Sequence, residues 1–144
     1  MPDLQFCALP TQLTPLADKF YRSHRSPMRP RQQDRVWVAR QQDILAALCL
    51  RPVAGGQWLT SLFVAPQHRR QGLGRQLVER ALASAEGPTW LFCHPELHPF
   101  YQPLGFSSHA CLPTELSERL QRYQRHKALI ALAHGADIDC PTQR

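Results

Sequence analysis

Lysine is nearly missing from this 144-residue sequence. Fifteen arginines and only two lysines stand against 11 acidic residues, for a formal net charge of +6. Charged residues make up just 19% of the chain, too few for a polyelectrolyte or a coiled coil. Long apolar runs are also missing: Ile44 to Leu50 and Trp58 to Pro66 are the longest, against roughly 20 residues for a bilayer-spanning helix. No membrane partner is therefore expected. Met1 to Phe20 lacks a basic segment followed by an apolar core, since Asp3, Gln5, Gln12, Asp18 and Lys19 are scattered through it, and a cytoplasmic location is the expectation. The five cysteines, Cys7, Cys49, Cys93, Cys111 and Cys140, contain no C-x-x-C pair. That spacing argues against a disulfide scaffold and a zinc ribbon, and favours small buried hydrophobes. His94 and His98 are four residues apart, but Pro95 interrupts the helix that a metal site at this spacing would use, so no metal is expected.

Hydrophobic residues amount to 43% of the chain, enough for one domain with a buried core. We expect a single domain over residues 1–134 and a flexible tail over 135–144. Leu4 to Leu9 reads as a strand. Thr14-Pro15 reads as a helix start, and Leu13, Leu16, Ala17 and Phe20 recur at helical spacing. Arg22 to Arg35 is a basic loop broken by Pro27 and Pro30. Val36 to Arg40 and Ile44 to Leu50 form a hairpin, and Gly55-Gly56 turns the chain into Trp58 to Val64. Gly72 opens a helix that Gly87-Pro88 stops. Beyond it come a strand at Thr89 to Cys93, a proline-framed turn at Pro95 to Leu104, a strand at Phe106 to Leu112, a helix at Thr114 to His126 and a strand at Ala128 to Ala133. This order predicts a mixed α+β domain. His134 to Asp139 looks like the end of an ankyrin repeat, yet no second copy occurs at that period.

The chemistry is concentrated in Leu62 to Arg75, where an apolar strand runs into Arg69-Arg70-Gln71-Gly72-Leu73-Gly74-Arg75 and then a helix. The first N–H groups of a helix lack intrahelical partners and carry partial positive charge. Glycines there let an anion approach the backbone, so this turn suits a pyrophosphate. It is not a Rossmann turn, because Leu77 stands where the third glycine belongs, and no Gly-Lys-Ser/Thr follows for a Walker loop.

Arg70-Gln71-Gly72-Leu73-Gly74 resembles the R/Q-x-x-G-x-G/A signature of the GNAT N-acetyltransferase superfamily. About 30 residues downstream, Phe100-Tyr101-Gln102-Pro103-Leu104-Gly105-Phe106 is similar to that family's F-Y-x-x-L-G-F. The resemblance implies a mostly antiparallel sheet of about seven strands with helices on both faces and a splayed strand pair holding acetyl-CoA as co-substrate. It further implies that Leu62, Phe63 and Val64 line the pantetheine, and that Arg69, Arg70, Gln71, Gly72, Leu73, Gly74 and Arg75 hold the pyrophosphate. Tyr101 matches the tyrosine that protonates the departing thiolate, a role open to a phenol that is neutral at pH 7.

The general base is not legible. Trp58, Leu59, Thr60 and Ser61 occupy the strand on which the family often places one, which leaves only His94, Glu96 and His98 nearby. The arginine-rich loop and the Thr114 to His126 helix depart from the family where it shapes the acceptor pocket, so the acceptor amine, small molecule or protein, does not transfer. Arg22, Arg25, Arg29, Arg31 and Arg35 point to an acceptor of acidic character. A CoA-sensing module that binds a protein partner is the alternative. Nucleic acid is favoured by charge alone, without interleaved aromatics. The sequence leaves the oligomeric state, monomer or dimer, open.

Overall fold

An unbroken apolar run over Val36 to Ala39 suits a strand buried on both faces, and the computed structural model, which describes residues 3–108 and 111–135, shows one there. Strands β1 (Gln5–Ala8), β2 (Arg35–Arg40), β3 (Ile44–Val53), β4 (Gly56–Val64), β5 (Thr89–Cys93), β6 (Ser107–Ser108) and β7 (Ile130–His134) form one mixed α+β sheet in the order β1-β2-β3-β4-β5-β7-β6. The pairings β1/β2, β2/β3, β5/β7 and β6/β7 are antiparallel. Helices are α1 (Thr14–Ser23), α2 (Leu73–Ser84), α3 (His98–Tyr101) and α4 (Thr114–Gln124). Two compact units emerge: the first takes residues up to 51 and 59–84, the second 52–58 and those from 85 onward.

In the first unit the pleat sends Val36 and Val38 to one face, where they pack with Ala17, Phe20 and Tyr21 of α1 and with Ala47, Cys49 and Ala65. Burying a side chain such as Phe20 there contributes about 2–3 kcal/mol. α2 buries Leu73, Leu77, Val78 and Ala81 and packs on β1 and β2. The guanidinium of its Arg80 lies 5.1 Å from the ring centroid of Phe6, the residue that alternates with the α1-facing Cys7. Helices thus cover both faces of this unit.

The buried stripe of α1 differs from the expected one. Leu13 and Leu16 are exposed, Thr14 is not the N-cap, and Ala17, Phe20 and Tyr21 face the core. Both stripes have helical spacing, and the sheet selects the one whose large rings reach it.

In the second unit Trp58, Trp90, Leu112, Leu116 and Ala133 make a separate core. Gly56 is required here by close approach, because a Cβ at this position would strike the Pro88 carbonyl and the Trp90 ring. Gln57 holds the same junction by donating from its backbone N–H to Pro88 O (3.0 Å) and from Nε2 to Thr89 Oγ1 (2.7 Å). The strand expected over Phe106 to Leu112 is only Ser107–Ser108, with Cys111 and Leu112 buried outside regular structure and residues 109 and 110 outside the described residues. Cys111 is disulfide-bonded, so it is not the simple buried hydrophobe expected, whereas Cys7, Cys49 and Cys93 are free. The expected tail beyond Gly135 lies outside the described residues. Among the described residues no helix is long and apolar enough to cross a membrane, and no three His, Cys, Asp or Glu side chains converge as a metal site.

Candidate functional site

β4 delivers the chain to a 3-10 turn at Pro66–His68, after which the backbone reaches α2 through two left-handed residues, Arg70 (φ 65°) and Gly72 (φ 80°). The Gly72 carbonyl accepts the first helical hydrogen bond, from Gln76 N at 3.0 Å. The N–H groups of Leu73, Gly74 and Arg75 therefore stand at the open end of α2 with no intrahelical partner. Room is not the reason for glycine at 72, since a Cβ there would meet only Gln76 Nε2, at 3.6 Å. The positive φ is.

The expected ligand-binding residues contribute unequally. Leu73 and Gly74 are buried, so they offer backbone N–H groups alone, whereas Arg70, Gln71 and Arg75 are exposed around them. Arg69 is tied down: its Nε donates to Val64 O at 2.9 Å and its guanidinium lies 5.1 Å from the centroid of Phe63. Phe63 points its ring among Phe20, Tyr21 and His24. Leu62, Phe63 and Val64, the last three residues of β4, are all half-buried, and the Val64 carbonyl is taken by Arg69.

Tyr101 belongs to the second unit and ends α3. Its ring is 6% exposed and meets Phe100 and Phe106 edge-on, at centroid distances of 4.9 and 5.6 Å. Burial, and then the nearby Cys93, push its pKa above the ordinary phenol value. Cys93 is itself shifted upward by burial. His94, a candidate base, caps the next turn by accepting at Nδ1 from Glu96 N (3.1 Å). Its 3.8 Å approach to Glu96 Oε2 becomes an ion pair only when that nitrogen is protonated, which breaks the cap. Glu96 is exposed and His98 half-buried.

Sequence reasoning missed Tyr21, Cys49 and the Asp34–Arg51 pair. Tyr21 is fully buried, its hydroxyl donates to Ser61 O at 2.8 Å, and its oxygen lies 3.9 Å from Cys49 Sγ. Asp34 does not float among the loop arginines. It accepts from Arg51 Nε at 2.9 Å and from Arg31 N at 2.8 Å, leaving the other arginines of the loop without it as a counter-charge. The first unit also holds a groove of about 400 Å³ between α1, the β2–β3 turn and the segment after β4. Lys19, His24, Arg40 and His68 line it against one acid, Asp43. No local pattern signalled these partners, which lie far apart in the chain.

Burial holds Tyr21, Tyr101, Cys49 and Cys93 in their neutral forms. Cys49 is pushed up to about 12 from its ordinary 9.0, and the other three also rise. With folded pKa values above the unfolded ones, this stability is fully present below pH 9 and is lost as pH rises through the folded values. The unfolding free energy should accordingly be level to about pH 8. It should then fall above pH 9 by up to about 1.4 kcal/mol per pH unit per group. Urea titrations at pH 7, 9 and 10.5 check this, and identical midpoints at 9 and 10.5 would refute it.

A profile of the acetyltransferase (GNAT) domain matches residues 32–108, which contain both sequence motifs. Among solved structures, the ribosomal-protein-S18-alanine N-acetyltransferase of Escherichia coli aligns with a TM-score of 0.64 at 17% identity, over 99% of this chain and 100% of that one. An acyl-CoA N-acyltransferase of Pseudomonas aeruginosa aligns at 0.62 and 18% identity, over 92% and 99%. N-acetylglutamate synthase of Neisseria gonorrhoeae, in complex with coenzyme A and N-acetyl-glutamate, aligns at 0.65 and 13% identity; the match covers 95% of this chain but only 36% of that longer one. These likenesses establish a shared fold. No curated protein matches the sequence.

Proposed function

The chain belongs to the GNAT acetyltransferase family, and from that premise we propose that it transfers an acetyl group from acetyl-CoA to a primary amine by direct attack. The observation that carries this reading is the turn from β4 into α2. There, after the left-handed Gly72, the first N–H groups of the helix are left without intrahelical partners between the exposed Arg70 and Arg75. Such an end stabilises phosphate oxygens by hydrogen bonding and by the helix dipole together. The backbone of Leu62 to Val64 would pair with the pantetheine amides. In the reaction the neutral amine nitrogen bonds to the thioester carbon, the C–S bond breaks, and the thiolate takes the Tyr101 hydroxyl proton; the proton lost from nitrogen passes to solvent, and solvent returns one to the Tyr101 phenolate, so that no net proton is gained or lost. His94 is a poor base in this scheme because its acceptor nitrogen is engaged by Glu96 N.

The acceptor is an amine that also carries negative charge. Support comes from the arginines of the 22–35 loop and the cationic lining of the groove beside α1. Solubility in the cytoplasm and a single domain over residues 1–134 belong to the same reading.

An acetyl-CoA consumption assay over matched amines with and without a carboxylate tests it. Turnover should favour the carboxylate-bearing members, and the preference should shrink as salt rises from 0.05 to 0.5 M, on the order of the screening expected for exposed charges. Acetyl-CoA binding seen by thermal shift, without consumption of any amine, would replace the enzyme with a CoA sensor. No binding at all would defeat both.

A further inference from the structure

Ser61 is an unusual residue to find inside a strand. It sits in the middle of β4 with φ 61°, a left-handed conformation disfavoured for every residue with a Cβ and seldom met outside glycine, asparagine and aspartate. Something must hold it there. The Tyr21 hydroxyl, 40 residues earlier, reaches its carbonyl and donates at 2.8 Å. Tyr21 is completely enclosed. Its ring touches Phe20 and Phe63 at centroid distances of 5.6 and 6.5 Å. Packing of that kind would be served as well by phenylalanine, so the hydroxyl, costly to bury without a partner, is there for its hydrogen bond. Its proton is committed to Ser61 O, and Cys49 Sγ lies 3.9 Å from the phenol oxygen. Both groups are kept neutral by burial.

We infer that Tyr21 is a positioning residue for acyl transfer: its hydrogen bond locks Ser61 left-handed and so sets the direction in which the Leu62 to Val64 backbone meets the pantetheine arm. A single left-handed residue interrupts the two-residue alternation of a strand and re-aims the peptide groups that follow it. Leu62, Phe63 and Val64 are those groups. The inference rests on the proposed acetyl-CoA reading for its consequence, but not for the geometry.

Tyr21→Phe removes one oxygen and keeps the ring. Calorimetry with acetyl-CoA should show binding weakened on the order of tenfold, as expected when a buried carbonyl loses its donor. Binding of 3′-phospho-ADP, the nucleotide half that meets only the phosphate turn, should stay within twofold. Ser61→Gly should rescue the loss, because glycine adopts positive φ without the clamp. The Tyr21→Phe, Ser61→Gly double variant should then match Ser61→Gly alone within about threefold. Hydrogen exchange in the unliganded variant should accelerate at the Leu62 to Val64 amides and not in β1 or β2. Equal weakening of both probes, unchanged acetyl-CoA binding or failure of the glycine rescue would overturn the inference. A wild type that binds neither probe defeats the acetyl-CoA reading and with it the pantetheine role. The exchange pattern still decides whether Tyr21 holds the strand.

Discussion

Tyr101→Phe should lower kcat by about 10² to 10⁴-fold and leave acetyl-CoA affinity within a factor of two, the signature of a group used only in the transition state. The ring is packed between Phe100 and Phe106 and is almost wholly buried, so removing the hydroxyl preserves its contacts. Burial raises the pKa of Tyr101, which keeps the proton in place at neutral pH but also makes the phenol a reluctant acid. The transfer becomes reasonable because the surroundings disfavour thiolates as well. Cys93, whose charge would act on Tyr101, is itself shifted upward by desolvation. A coenzyme thiolate losing solvent in such surroundings would be a stronger base than in water, and the two shifts offset. Single-turnover rates are the measurement that decides, since water can protonate a thiolate when product release limits kcat. Equal single-turnover rates for wild type and Tyr101→Phe would remove the acid assignment and leave the fold untouched.

Gly72→Asp should abolish measurable acetyl-CoA binding, a loss of at least about 10²-fold, without unfolding the protein. The conformational cost of a left-handed aspartate is modest, about 1–2 kcal/mol at most. Its Cβ has space, with Gln76 Nε2 the nearest atom at 3.6 Å. A carboxylate at the N-terminus of α2 even favours the helix by about 0.3–1 kcal/mol. What it removes is the site for another anion: the charge sits where the N–H groups of Leu73, Gly74 and Arg75 open. Gly72→Asn, similar in shape and tolerant of positive φ, is the control and should bind within about tenfold of wild type. Calorimetry on both variants, with thermal melts to establish folding, checks this. A folded Gly72→Asp that binds acetyl-CoA as the wild type does would sink the phosphate-turn assignment.

Much of the candidate site was legible because its signals are local. Strand, basic turn, Gly72 and helix follow one another within Leu62 to Arg75, and each residue's conformational preference reports on its immediate neighbours. The Phe100 to Phe106 motif was legible for the same reason, as was the β2–β3 hairpin around Gln41-Gln42-Asp43. The roles within the turn were less so. Arg69 looked like the first of three phosphate-facing arginines, yet Val64 O and the Phe63 ring hold its guanidinium. His94 looked like an available base, yet it caps a turn. A side chain's partner depends on which backbone groups are left unsatisfied nearby, and spacing does not report that.

By itself the sequence determined the order of elements and the two motifs, because turn residues and apolar periodicity act over a few positions. It did not determine which stripe of α1 is buried. Leu13, Leu16, Ala17 and Phe20 have helical spacing, and so do Ala17, Phe20, Tyr21 and His24. The tertiary structure chose the second, because only that stripe seats Phe20 and Tyr21 against Val36, Val38, Ala47 and Cys49. With that choice came the two contacts that no local pattern announced, Tyr21 to Ser61 across 40 positions and Arg51 to Asp34 across 17. Both satisfy polar groups that burial would otherwise penalise, and burial is a property the chain acquires only when its distant parts pack together.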